Sequence, residues 1–338
     1  MRRCLVILAV VHLVSGAAAA GFLSRLISTT VNRLMITILP PGEVNPSNMA
    51  VVEGDMMRSS MADQPAARMI RAQEAHEVAT GHGVLVAVLD AGFDTSHPVL
   101  RDRVVPGIDT LSGDGDPNDL GNGFDDYGEQ SPDNAVGHGN FVAGMVLLAA
   151  PDARILPVRV MDDEGYGTNA AIASGIRFAL NRGARVVNIS AQAAALLDCR
   201  DVRMALDEAH ARGAVVVASV GNEGRRGFGV IAGDPNTVAV GAVMDCGTEA
   251  EFSNTAGYRE ELAVYAPGVD LRGPMTRGAM GVWSGTSFSA GLASGAAALW
   301  LELDPQSPPE CTREGIARCT NPAYDESGRC CSAGIVDL

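Results

Sequence analysis

The chain has 338 residues, enough for one large α/β domain or two ordinary ones, and 47% of them are hydrophobic, ample for a substantial core. Aromatic residues make up only 4%, so that core has to be built from Ala, Val, Leu and Ile. The formal net charge is −15, and arginine supplies all the permanent positive charge; this excludes a nucleic-acid surface and disfavours docking on an anionic membrane.

The N-terminus has the layout of a cleavable export signal. Met1-Arg2-Arg3 is a short positive head, residues 4–14 are apolar, and Ser15-Gly16-Ala17-Ala18-Ala19-Ala20 supplies small residues in an A-x-A pattern. The apolar run is shorter than the roughly 20 residues a bilayer-spanning helix needs. Residues 1–20 are expected to be removed, leaving an exported protein, extracellular or periplasmic, with no membrane anchor. Cys4 leaves with the signal. Cys199, Cys246, Cys311, Cys319, Cys330 and Cys331 remain, an even number that predicts disulfides in an exported chain. Their spacing matches no zinc motif, and their connectivity is open. Adjacent Cys330 and Cys331 are poor partners for each other, because a disulfide needs separated, apposed Cβ atoms.

Residues 21–65 lack a regular pattern. Phe22-Leu23-Ser24-Arg25-Leu26-Ile27 could begin an amphipathic helix, but Pro40-Pro41 stops any such element. This stretch is expected to be a short pro-segment or N-terminal extension.

From residue 66 the pattern becomes regular. Val84-Leu85-Val86-Ala87-Val88-Leu89 is a continuous apolar run between Gly83 and Asp90, as for a strand buried on both faces. Further strands are predicted at 154–160, 185–189, 214–219, 237–243 and 262–266, with helices at 141–149, 169–182, 202–212 and 289–303. The alternation implies a single α/β domain, residues 66–338, with a mostly parallel central sheet covered by helices on both faces. Right-handed crossovers then place the carboxyl ends of the strands along one edge, where open α/β sheets bind ligands.

Three residues stand out along that edge. Asp90 directly follows the first strand, His138 lies in Gly137-His138-Gly139 at the mouth of an apolar helix, and Ser287 lies in Ser284-Gly285-Thr286-Ser287 where a small-residue helix begins. Singly, each reads as a turn former, a core histidine or a helix cap. In the order Asp, His, Ser they meet the needs of nucleophilic acyl transfer: a hydroxyl to attack, an imidazole to take its proton, and a carboxylate to orient that imidazole. Asn222 ends the buried run Val215-Val216-Val217-Ala218-Ser219-Val220-Gly221, where its amide could donate to an oxyanion beside the Ser287 N–H.

Taken together these segments resemble the subtilisin-like serine peptidases (subtilases), whose triad blocks and oxyanion asparagine occur in this order. Ile155-Leu156-Pro157-Val158-Arg159-Val160, Phe252-Ser253-Asn254, Ala266-Pro267-Gly268 and Gly334-Ile335-Val336-Asp337 look like further landmarks of that family. The resemblance implies a serine endopeptidase acting on protein or peptide substrates as a monomer, with no cofactor required. It also implies that Ala218, Ser219, Val220 and Gly221 line one wall of the primary specificity pocket. Ser190 and Ala191 would then sit on the edge strand that pairs with substrate.

The departures from the family pattern are Ala91 for the usual Ser or Thr, Asn140-Phe141 for Thr-His, Gly291 for Pro, and Gln192 for Gly. None removes a catalytic group, and all fall on supporting positions. A catalytically silent binding module is therefore the competing expectation. Between the Asp90 and His138 blocks, the stretch from Asp114 to Asp126 has acidic residues spaced as in an EF-hand loop. However, Asp119 takes the glycine position, Asp125 replaces the bidentate glutamate, and no helices flank it. A solvated acidic loop is expected there, with structural calcium as the alternative.

Overall fold

The computed structural model describes residues 36–37, 61–124, 133–193, 199–257, 264–318, 320–321 and 334–338. The expected export signal, residues 1–20, lies outside them. Within the described residues the strands are β1 (Ile36–Thr37), β2 (Leu85–Asp90), β3 (Ile108–Asp109), β4 (Arg154–Arg159), β5 (Val186–Ile189), β6 (Gln192–Ala193), β7 (Val215–Ser219), β8 (Thr237–Val243), β9 (Val264–Pro267), β10 (Leu271–Pro274), β11 (Met280–Trp283), β12 (Thr320–Asn321) and β13 (Ile335–Val336). The helices are α1 (Pro65–Met69), α2 (Ala72–Ala75), α3 (His138–Ala149), α4 (Asn169–Asn181), α5 (Arg200–Ala211), α6 (Thr286–Leu303) and α7 (Pro309–Arg318).

The main sheet has the order β12-β13-β9-β8-β7-β5-β2-β4-β3, parallel except at the β12–β13 edge. β2 is its pivot. The chain leaves β2, crosses through α3 and returns as β4 on one side, then crosses through α4 to β5 on the other. The crossover direction therefore reverses at β2, and its carboxyl end, occupied by Asp90, opens into the crevice such a reversal creates. Every residue of β7 and β8 is buried, which is why these strands read as unbroken apolar runs rather than alternating ones. Successive residues of β2 feed two cores. Val86 and Val88 face the core shared with α3 and α6, whereas Ala87 and Leu89 face the one covered by α4 and α5.

The two pairs of helices differ because their environments differ. α5 buries Val202, Ala205, Leu206 and Ala209, a one-sided stripe at helical spacing with solvent on the other side. α4 is started by the Thr168 side chain, which accepts from the Ala171 N–H at 3.0 Å. α3 is buried along its whole length, and α6 along nearly all of it. They can lie against each other only because the contact is made by glycine. A Cβ on Gly291 would stand 2.9 Å from the Val142 carbonyl oxygen, and one on Gly295 would stand 2.8 Å from that of Val146.

Both central helices begin three residues before their predicted starts at 141 and 289, which draws His138 and Ser287 into their first turns. At α3 this is possible because Gly137, at φ 88°, turns the chain directly into the helix. The predicted strand 262–266 appears as β9, with residues 261–263 outside the described set. The hairpin β10–β11 and helix α7 were not legible, since four-residue strands and a sparsely apolar helix carry little periodicity. β1 lies apart from the main sheet and pairs antiparallel with β6, Ile36 opposite Ala193 and Thr37 opposite Gln192.

Three of the six cysteines expected to pair lie among the described residues. Cys246 and Cys311 are exposed thiols without a bridge, and buried Cys199 receives the Asn169 Nδ2 donor at 3.5 Å. Cys319, Cys330 and Cys331 lie outside the described residues.

The loop after β2 is fastened by His97. Its Nε2–H donates to the Ala279 carbonyl at 3.0 Å and its Nδ1 accepts from the Val99 N–H at 3.1 Å, so both ring nitrogens serve in the neutral form. Burial holds its pKa below the ordinary histidine value, against opposing contributions from the Ala279 hydrogen bond and the Asp94 charge. A histidine depressed on folding favours the native state above its unfolded pKa of about 6.5 and loses that contribution as pH falls through its folded value. His97→Gln should therefore be less stable than wild type at about pH 7 but lose less stability on acidification to about pH 5, as read from urea midpoints. Gly295→Ala should lower stability by about 1–3 kcal/mol through overpacking of α3 against α6, measured by chemical unfolding at constant m-value.

Candidate active site

Asp90, the last residue of β2, has no exposed surface, and its Oδ1 accepts two hydrogen bonds: 2.7 Å from His138 Nδ1 and 2.8 Å from the Ala91 N–H. The other oxygen, Oδ2, is buried with no partner among the described residues. The next residue, Ala91, has no side-chain hydroxyl to offer it. Because Asp90 Oδ1 can only accept, His138 carries its proton on Nδ1 when neutral, leaving the Nε2 lone pair free to act as a base.

The imidazole is walled by aromatic rings. Trp283, at the end of β11, meets it edge-on at 5.4 Å between centroids, and Phe288, the residue after Ser287, lies at the same distance, tilted by 44°. Phe141 packs on Phe288 at 4.3 Å and on Trp283 at 5.9 Å. Only 4% of the His138 side chain is exposed, so its hydrogen bond to Asp90 is shielded from water. In a chain poor in aromatics, three of the few rings it has are gathered here.

Ser287 is 1% exposed, and its Oγ makes no hydrogen bond among the described residues. The serine–imidazole contact is thus open, as is common before a ligand tightens the site. Its position in the first turn of α6 puts it among N–H groups that lack helical acceptors and at the positive end of the helix.

The asparagine is held from the same turn. Thr286 donates its N–H and its hydroxyl to Asn222 Oδ1, both at 2.9 Å, and its hydroxyl oxygen accepts from the Gly221 N–H at 3.2 Å. Since the backbone N–H can only donate, the atom facing it must be the amide oxygen, and Nδ2 is left as the donating end. Nδ2 is near enough to Gly285 that a Cβ there would stand 3.3 Å away. Asn254 supports the same corner, donating from Nδ2 to the Val220 carbonyl at 3.1 Å. Only its place in the Phe252-Ser253-Asn254 landmark hinted at this.

The residues predicted to contact substrate are placed as follows. Ala218, Ser219, Val220 and Gly221 are all buried at the end of β7, beside Asn222. Ser190 and Ala191 follow β5 and are equally buried. The Ser190 hydroxyl turns inward, donating to Asn188 Oδ1 at 3.0 Å and lying 3.3 Å from the Ser287 carbonyl. Asn188 in turn donates to Ser294 at 3.0 Å, so a buried polar chain links β5 to α6, a role that sequence reasoning missed. Only the backbone of residues 190–191 can offer hydrogen bonds outward.

The acidic loop does not assemble a metal site from its described residues. Asp114 and Asp116 each accept the N–H two residues on, at 2.9 and 3.0 Å, and Asn122 does the same for Phe124 at 2.7 Å. Asp119 pairs with Arg159, which also binds Asp109 at 2.8 Å. Burial raises the pKa of Asp119 above the usual carboxylate value despite the arginine, and raises that of Asp163, where the Asp119 charge adds to the effect. No three acidic, His or Cys side chains converge as metal donors among the described residues; Asp125 and Asp126 lie outside them.

Comparison with known proteins identifies the family. The subtilase family model matches residues 81–327. A thermophilic serine proteinase of Bacillus sp. (strain AK1) is 37% identical over 219 residues, 64% of this chain and 52% of that protein. Subtilisin E of Bacillus subtilis (strain 168) is 34% identical over 239 residues, 67% of this chain and 57% of that protein. The chain thus spans little more than half the length of these two relatives. Among solved structures, a protease from Pseudoalteromonas arctica PAMC 21717 superposes with a TM-score of 0.69 at 26% identity, covering 79% of this chain and 91% of that one. A cold-adapted subtilisin-like serine proteinase shares the fold at a TM-score of 0.65 and 23% identity, covering 77% and 90%. With the family model spanning most of the α/β domain, the chain belongs to the subtilase family.

Proposed function

We propose that this protein is an exported serine endopeptidase that cleaves protein or peptide substrates through an acyl-enzyme, with Asp90, His138 and Ser287 as its triad. The observation that carries this reading is the buried 2.7 Å hydrogen bond from His138 Nδ1 to Asp90, beside a helix whose first turn bears Ser287. In the acylation step, Ser287 Oγ bonds to the scissile carbonyl carbon while its proton passes to His138 Nε2. The carbonyl electron pair moves onto oxygen, where the Ser287 N–H and Asn222 Nδ2 donate to it. Collapse of that intermediate breaks the C–N bond, and the departing amine takes the proton from Nε2. Water then repeats the sequence to release the acid. Asp90 stays ionised throughout and stabilises the imidazolium.

Substrate is read as an added strand along residues 190–193, with Ala218, Ser219, Val220 and Gly221 walling the primary pocket. The antiparallel seat of Ile36–Thr37 on Gln192–Ala193 supports this, because that edge accepts an extended segment. The same seat supports reading residues 21–65 as a pro-segment. Export follows from the N-terminal signal pattern.

The test is a fluorophosphonate probe, which modifies only an activated serine. Wild type should label at Ser287 and hydrolyse casein, and Ser287→Ala should do neither while keeping its circular dichroism spectrum. Equal labelling of both proteins would reject Ser287 as nucleophile, and tight peptide binding without labelling would favour the silent binding module. Ala91→Ser offers a finer check. A hydroxyl donated to the unpartnered Asp90 Oδ2 should hold or raise kcat, by at most about tenfold for one hydrogen bond to a charged group. A fall in kcat with unchanged stability would mean that Oδ2 is better left unpaired.

A further inference from the structure

The histidine helix is gripped on two sides. On one, the loop after Asp90 comes so close that a Cβ on Gly139 would collide with the Gly92 carbonyl and stand 3.0 Å from the Phe93 ring. On the other, the turn of the β10–β11 hairpin approaches Gly137, where a Cβ would lie 3.0 Å from Met275 Cε and 3.4 Å from the Thr276 nitrogen. Between the two sides, within the first turn of α3, sits Asn140, which has no exposed surface.

Its carboxamide binds both sides at once. Oδ1 accepts from the Asp94 N–H at 2.8 Å, and Nδ2 donates to the Met275 carbonyl at 2.6 Å, with the Asp94 carbonyl further off at 3.4 Å. The orientation of the amide is dictated by chemistry, since one partner is a pure donor and the other a pure acceptor. Direct links between the two loops reinforce the joint. Asp94 Oδ2 accepts the Arg277 N–H at 2.7 Å, and His97 donates to Ala279. Among the described residues, however, Asn140 is the side chain that ties all three pieces together.

Each piece leads to the reacting groups. Asp94 lies four residues after Asp90. Met275 opens the turn into β11, which ends at Trp283, the ring set edge-on to the His138 imidazole, and then runs on to Ser287. Asn140 itself lies two residues after His138. The subtilase pattern has Thr at this place, and a hydroxyl has a single hydrogen on a single atom, so it cannot span a donor and an acceptor on opposite sides as a carboxamide does.

We propose that Asn140 is a positioning residue: by locking the loop after Asp90 and the hairpin bearing Trp283 onto the first turn of α3, it sets the place of the His138 imidazole between carboxylate and serine. The kinetic consequence rests on the peptidase reading above; the geometric consequence does not. Loss of the carboxamide leaves two buried backbone groups unpaired and frees the hairpin to shift the ring wall.

The experiment compares Asn140→Leu, which keeps volume without hydrogen bonds, and the milder Asn140→Thr with a control, Leu206→Ala, which empties a buried site in α5 on the opposite face of the sheet. All are assayed with a peptide substrate well below their melting temperatures. In parallel, the downfield proton NMR resonance of the His138 Nδ1–H is recorded. Asn140→Leu should lower kcat about 10–100-fold, the scale of a misplacement near 1 Å, with KM changed less than about threefold, and should shift the Nδ1–H resonance. Asn140→Thr should be intermediate in both readouts, and Leu206→Ala should change stability alone. The proposal is overturned if both Asn140 variants merely melt earlier, with kcat and the resonance as in wild type. If wild type itself neither labels nor hydrolyses, the peptidase reading falls, and the resonance alone decides: an unmoved signal overturns the positioning role and a shifted one upholds it.

Discussion

The hydrogen bond between His138 and Asp90 is the constraint around which the molecule is arranged. It is short and dry, and it joins residues 48 apart in sequence. To make it, β2 must end at the point where the crossovers reverse, so that the carboxylate emerges into a crevice rather than beneath a covering helix. α3 must also begin abruptly, so that its first residue is the histidine, and Gly137 with its positive φ provides for that. The bond then fixes which imidazole nitrogen carries the proton, and hence which one is available to a serine. Fold topology, a helix start and a tautomer are one requirement seen at three scales.

A second constraint is thickness. α3 and α6 bring histidine and serine to the same corner, and they pack on each other inside the protein rather than as surface helices. The contact is thin enough for this only because Gly291 and Gly295 present no side chains to α3. The low aromatic content reads differently in this light. Ala and Gly build the long-range packing, which lets the helices approach, while Phe141, Trp283 and Phe288 are concentrated where the imidazole needs a stiff, water-excluding wall.

The sheet was legible because its strands are buried on both faces and so read as apolar runs; β2, β4, β5, β7 and β8 fall within a residue or so of their predicted positions. The placement of Asp90, His138 and Ser287 was legible because each closes a strand or opens a helix at the edge where α/β sheets bind, and Asn222 follows three residues beyond β7. What escaped was of two kinds. The hairpin β10–β11 is too short to show a period, so nothing in the sequence placed Trp283 against His138. Side chains that act sideways across the fold, Asn140, Asn188, Asn254 and Thr286, have no signature beyond being polar in apolar surroundings. Their partners are mostly backbone groups, and backbone groups leave no trace in a sequence. The disulfide expectation is not met by the three described cysteines, since counting cysteines says nothing about whether their Cβ atoms meet, and the other three lie outside the described residues.

Those same surroundings explain where the structure departs from its own rule of pairing buried polar groups. Asp90 Oδ2, Ser219 Oγ, Trp283 Nε1 and Ser287 Oγ are all buried without a hydrogen bond among the described residues, and all belong to the segments that form the site. Each such group costs about 1–3 kcal/mol relative to a paired one. The same cost is met at some positions elsewhere, among them Thr237 Oγ1 and His210 Nδ1, and avoided at others, as where Glu302 Oε2 accepts three successive backbone N–H groups, from Thr80, Gly81 and His82. At the corner formed by Asp90, Trp283 and Ser287 these unmet hydrogen bonds are a local loss of stability that a bound ligand or water can offset. The carboxylate, the hydroxyl and the indole are held in place by the frame of glycines and buried amides around them.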